Sequence, residues 1–332
     1  MATIGNQFVD LIDIYKQQDG MGQYVSVIEL LMEMNPILDD AYAVECNKGT
    51  SHLHTVRTGL PAVSWGRLYK GIDQSKSTTA QVEDTTGFVE GLSTIDERLL
   101  ALSTNEGAVR LSEAMSYLEA MNQEVADKMF YGNTTSDPEE FMGLAPRFNS
   151  LDAANGNQII DAGGTGADNT SVWFVTWGER QCHLLYPKGT QAGVQREDMG
   201  RQRITDADGK AYYAKEEKFT WHIGLAVKDW RYIARVANID VSNIKAGTVD
   251  LYDFMRSAYY KLQNRRVANG TICIYCNRDV LEALDKLATN AGASDNFVRL
   301  GRTEIQGQEV LTYRGIPIKE VDAILNTEAR VV

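Results

Sequence analysis

The feature that most constrains this chain is a stretch of about forty residues, 52–91, with neither helical periodicity nor enough apolar residues for a core of its own. Connections in compact domains usually run ~4–6 residues, so a segment this long is a structure in its own right. Val63, Trp65, Arg67 and Tyr69 alternate with Ser64, Gly66, Leu68 and Lys70, which predicts a strand. A polar tip follows at residues 74–79, and the chain returns through 81–85 to Phe88. The pattern describes a long two-stranded arm. An isolated hairpin is marginal in water at best, so the arm must lie on its own body or on a neighbouring chain.

The rest of the chain supplies that body. Residues 25–34 read as a short apolar helix ended by Asn35-Pro36, and Asp39-Asp40 reads as a turn. A short helix is expected around 95–102. A long one follows, capped by Asn105, with Leu111, Met115, Leu118, Met121, Val125 and Met129 on one face. Gly132 fits the left-handed position that closes it. Residues 133–170 are rich in turns. Strands are then expected at 171–176, 181–186, around the Asp208-Gly209 hairpin turn, through Phe219, Trp221, Ile223 and Leu225, and less cleanly at Trp230, Tyr232 and Ile233. A helix at 249–266, a buried strand at 271–276, a helix capped by Asn277 and a terminal hairpin turning at Arg314-Gly315 complete an α+β chain.

Charge and cysteine usage narrow the function. With 33 basic against 45 acidic residues the formal net charge is -12, a poor basis for gripping nucleic acid, whose phosphates need clustered cations. Residues 1–20 lack the pattern of a signal peptide, and no apolar run nears the ~20 residues of a membrane span, so the expectation is a soluble protein made in a reducing cytoplasm, with no membrane partner. Four scattered cysteines do not form a disulfide framework.

Each chemical motif has a plainer explanation. Cys273 and Cys276, three apart on a strand, point to opposite faces and make no metal or redox pair. His52 and His54 share a strand face, but no carboxylate is paired with them by spacing, and they read as surface histidines at the root of the arm. Cys182 and His183 are adjacent and diverge on a strand. The glycines at 163, 164 and 166 lack the following lysine and helix of a phosphate loop, and 206–209 lacks the distal Glu of a calcium loop. No catalytic, cofactor or metal-binding residue is assigned. The different-class alternative is a soluble α+β metal-dependent hydrolase built around His52, His54 and Cys182.

An ordered series of short stretches carries a family resemblance: residues 35–40 (NPILDD), 55–61 (TVRTGLP), 77–79 (STT), 118–122 (LEAMN), 131–133 (YGN), 141–147 (FMGLAPR), 159–164 (IIDAGG) and 230–232 (WRY). Through them the chain resembles the major capsid proteins of tailed bacteriophages with the Hong Kong 97-type fold, specifically the short-tailed-phage group. The resemblance implies an amino-terminal arm at 1–51 and an extended loop at 52–92 lying over an adjacent subunit. It implies a peripheral domain with its spine helix at 93–150, and an axial domain with returning peripheral strands at 151–332. The hairpin at 314–318 lies nearer the carboxyl end than in many relatives, which points to permuted connectivity. The implied function is structural: hexamers and pentamers closing into an icosahedral head around double-stranded DNA, located in the virion. Implied partners are further copies of the chain, a separate scaffold, a portal protein, a decoration or cementing protein, and packaged DNA touched weakly and non-specifically. Val63, Trp65, Arg67, Tyr69, Lys70, Lys76 and Phe88 are the expected inter-subunit contacts. A cellular nanocompartment shell is the alternative of the same fold.

Overall fold

The computed structural model describes residues 32–103, 105–206, 208–265, 270–290, 300–305 and 308–332. The apolar helix expected at 25–34 lies almost wholly outside the described residues. The elements, in chain order, begin with α1 (Ile37–Asp40), β1 (Ala43–Glu45), β2 (Ser51–Gly59) and β3 (Thr78–Asp96). Then come α2 (Glu97–Leu102), α3 (Glu106–Tyr131), α4 (Leu144–Arg147), β4 (Ile159–Asp161), β5 (Asn169–Trp177) and β6 (Cys182–Tyr186). The second half holds β7 (Val194–Thr205), β8 (Ala211–Val227), β9 (Ile233–Asp240), α5 (Val241–Ala246), α6 (Leu251–Lys261), β10 (Thr271–Cys276), α7 (Arg278–Asn290), β11 (Gly301–Ile305), β12 (Gln308–Tyr313) and β13 (Ile316–Glu320). Two expectations change. Asp39 and Asp40 belong to the one-turn α1 rather than a turn, and Trp230–Tyr232 is a 3₁₀ turn leading into β9 rather than strand.

The strands form one continuous system in the order β11-β12-β13-β10-β5-β6-β8-β3-β2, with β9 beside β5, β7 beside β8, β1 on β6 and β4 on β9. β5 is its centre and is buried along its whole length. Trp173, Val175 and Trp177 face one core, which includes Val125, Met129 and Phe130 of α3. Val172 and Phe174 face the other, with Leu251 and Met255 of α6 and Val280 and Leu284 of α7. That is the period-two alternation of a strand covered on both faces, and it accounts for the continuous apolar run of its sequence. Cys273 and Cys276 of β10 fall into opposite cores, as their spacing requires.

α3 is 26 residues long, about 39 Å at ~1.5 Å per residue. The Asn105 side chain accepts the Ala108 N–H at 3.2 Å, as an N-cap should. The predicted apolar stripe divides, however. Met121, Val125 and Met129 are fully buried, whereas Leu111 and Met115 are each 57% exposed and Leu118 40%. Near its start the helix leans on the sheet through Val109, Ala114 and Tyr117 instead, with Tyr117 stacked on Phe219 at 5.6 Å. Gly132 ends the helix at φ -51°, not left-handed. Its lack of a side chain serves space: a Cβ there would stand 2.5 Å from the Phe141 carbonyl and 2.6 Å from that of Lys128.

A buried polar knot ties the carboxyl end to this body. Arg235 donates to Glu328 Oε2 at 2.8 Å, to Ser171 Oγ at 3.0 Å and to the Phe148 carbonyl at 2.7 Å. Tyr131 donates to Glu328 Oε1 at 2.6 Å, and Ser171 also bonds Glu328. The Arg235 guanidinium lies over the Trp173 ring at 4.8 Å.

Candidate functional site

β3 has 19 residues, about 60 Å of strand at ~3.3 Å each, and it serves two masters. From Thr86 to Asp96 it pairs with β8 in the body. From Thr78 to Thr85 it pairs with β2 alone, with Ser51 opposite Thr85 and Gly59 opposite Thr78. That outer hairpin is the arm. The strand expected at Val63, Trp65, Arg67 and Tyr69 does not exist; the pairing strand is Ser51–Gly59, earlier in the chain. The reason is local. The ladder already slips between Arg57 and Gly59, and Pro61, which has no N–H to donate, follows at once.

Beyond Gly59 the chain becomes an irregular tip, residues 60–77, closed by Ser75 Oγ donating to the Ala62 carbonyl at 2.7 Å. Every residue from 60 to 76 is exposed. Trp65 is 99% exposed, Val63 93% and Leu68 92%, and Tyr69 is held at φ +64°, a conformation rare for a side chain of its size. Arg67, Lys70 and Lys76 lie on the same tip. Phe88 does not; it sits in the body on β3 opposite His222, with ring centroids 5.7 Å apart, and is still 61% exposed.

The root of the arm holds a cluster that spacing did not disclose. His52 and His54 do share a strand face, with ring centroids 6.4 Å apart. They are not surface residues: His52 is 8% exposed, and only a tenth of the His54 side chain is accessible. His183 from β6 packs edge-on against His52 at 5.6 Å and is fully buried. Asp84, the β3 partner of His52, supplies the carboxylate that linear spacing hid. It is tied to Arg147 at 2.7 Å, while its other oxygen stands 3.9 Å from His54 Nδ1. Arg147 also donates to the carbonyls of Met142 and Leu225.

All three imidazoles are held below the ordinary histidine range, chiefly because burial penalises the charged ring; His183 is pushed down to about 3. Cys182 belongs to the apolar core, where burial raises its thiol to about 12. Among the described residues His52, His54 and Cys182 do not form the metal-holding group that the hydrolase alternative requires. Among the described residues no set of three His, Cys, Asp or Glu side chains has the geometry to hold a metal ion. The glycines at 163–166 form the connection from β4 to β5, and Asp206 accepts the Asp208 and Lys210 N–H groups in the β7–β8 turn, so both motifs are turns.

Residues 19–332 match the family described as major capsid protein GP7. Comparison with curated proteins gives no match. Among solved structures, a chain from bacteriophage Epsilon15 is 37% identical and superposes with a TM-score of 0.79, covering 100% of this chain and 99% of that one. Fainter likenesses include the capsid of a native GTA particle (10% identity, TM-score 0.45, 65% of this chain, 94% of that one). Another is a chain of Microbacterium phage Oxtober96 (13%, 0.44, 68% and 98%). The chain belongs to the GP7 family of major capsid proteins, with the Hong Kong 97-type fold: a self-assembling structural subunit of the capsid of a tailed double-stranded-DNA phage, and not an enzyme.

Proposed function

We propose that the tip of the arm is the part of this subunit that grips its neighbour. The observation that carries this reading is the exposure of Val63, Trp65, Leu68 and Tyr69 on a tip whose residues 60–76 are all exposed. Apolar side chains of this size, left bare together, mark a surface that another chain covers. Arg67, Lys70 and Lys76 bring positive charge to the meeting of subunits that are otherwise acidic. Phe88 extends the contact toward the body. On the receiving side, the exposed stripe of Leu111, Met115 and Leu118 on α3 offers a matching apolar face.

In this reading residues 1–51 form the amino-terminal arm and 52–92 the extended loop. Residues 93–150 hold the peripheral domain, and 151–332 the axial domain with returning peripheral strands. Subunits gather as hexamers and pentamers in an icosahedral head assembled in the host cytoplasm. A separate scaffold, a portal protein and a decoration or cementing protein complete the head. The packaged DNA meets few fixed cations on so acidic a chain and is touched weakly and without sequence preference.

The test is deletion of residues 63–74, bridged by glycines between the closely apposed Ala62 and Ser75. Folded subunits or small rings without closed particles are the expected result under negative-stain microscopy, and normal particles would refute the assignment. A milder form replaces Trp65 and Tyr69 together by alanine. The concentration needed for assembly should rise about tenfold or more, the size of effect expected of aromatic anchors.

A further inference from the structure

Three of the chain's four histidines meet at one place, where the arm joins the body. Two lie on β2, the strand that belongs only to the arm, and the third lies on β6 in the body. Neither ring nitrogen of His54 or of His183 makes a well-formed hydrogen bond with any described residue. Neutral rings tolerate such a setting; charged ones do not.

The surrounding charges are few. β3 contributes Asp84, whose charge is matched by Arg147 of α4. Lys228, just beyond β8, adds positive charge and donates to the Glu179 carbonyl at 3.0 Å. The backbone groups of Glu45 and Gly178, beside His52 and His183, favour the protonated rings but are outweighed by burial. The Glu45 side chain is turned to the Gly189 N–H at 2.8 Å, and Glu83 is taken up by Lys48 and Ser51. An imidazolium formed here would therefore meet two cations and one carboxylate already in use.

We propose that His52, His54 and His183 form an acid-released latch: neutral rings seat β2 between its partner β3 and His183 of the body, and protonation frees β2 from both. The latch acts whatever surface the tip reaches, so it stands or falls apart from the assignment of the tip.

The direction follows from linkage. The buried rings bind protons less readily than rings in water, so their stabilising effect is complete above the ordinary histidine value of ~6.5 and is lost as pH falls below it. For each ring that can be protonated only in the open form, the opening equilibrium grows by about tenfold per pH unit. For His183 that window extends down to about 3.

Hydrogen–deuterium exchange on the full chain at pH 7.5, 6.5, 5.5 and 5.0, corrected for intrinsic exchange, reads this directly. Peptides covering residues 51–59 should open more than tenfold further between pH 6.5 and 5.5, while those covering β9, which has no histidine, stay protected. His54→Gln and His52→Gln, each at the edge of the cluster, should each flatten the slope by about one proton, and His183→Leu should do so without exposing the body. A pH-independent β2 in the wild-type chain, or an unchanged slope in both edge variants, would overturn the latch. The wild-type titration decides the matter even if the His183 variant fails to fold.

Discussion

β5 and the tip of the arm are made of similar material and meet opposite fates. Residues 171–176 read SVWFVT and residues 63–69 read VSWGRLY, each with a central tryptophan among apolar neighbours. Trp173 is wholly buried and Trp65 is 99% exposed. The difference lies in what stands alongside. β5 has β9 and β10 hydrogen-bonded along its two edges and a helical layer on each face. Among the described residues the tip has only its own two ends, joined by the Ser75–Ala62 hydrogen bond. In a single-chain domain bare apolar surface on this scale would be a liability; in a self-assembling subunit it supports the proposal that copies meet here.

Mutation should separate the two regions cleanly. The largest effect is expected in the body. Glu328→Ala leaves Arg235 buried without its carboxylate, which should cost about 3–5 kcal/mol, seen as a lower denaturation midpoint of unassembled subunits. A smaller loss is expected where α3 meets β3. A Cβ added by Gly91→Ala would stand 2.8 Å from Tyr117 Cδ1 and press on the ring whose hydroxyl bonds the Leu92 carbonyl, which should cost ~1–3 kcal/mol by the same measurement. The smallest effect belongs to the tip. Trp65→Ala should shift subunit stability by no more than about 0.5 kcal/mol while still impairing assembly. If it destabilised the isolated subunit as much as Glu328→Ala, the contrast between tip and body would fail.

Legibility in the sequence follows the range of the interactions. The start of α3 is legible because its cap is local: Asn105 and the Ala108 N–H are three residues apart. The β12–β13 turn was legible for the same reason, with Arg314 and Gly315 both at positive φ. The buried face of α3 departs from the predicted stripe because helical spacing reveals a stripe but not where the neighbouring sheet ends. Residues 63–70 have a strand's alternation but no partner strand among the described residues, and Pro61 close to the slipped ladder outweighs the pattern. The latch was half visible. His52 and His54 share a face by period two, whereas His183 reaches them only because β6 is folded beside the root of the arm.

The order of residues alone decided that this chain would carry a body of mixed helix and strand and a long segment unable to supply its own core, because periodicity, caps and turns act over a few residues. Folding in three dimensions decided which side chains met across distance: Arg235 with Glu328, Asp84 with Arg147, and three imidazoles drawn from two strands. Burial and charge pairing depend on what arrives from elsewhere in the chain, and no local pattern encodes that arrival.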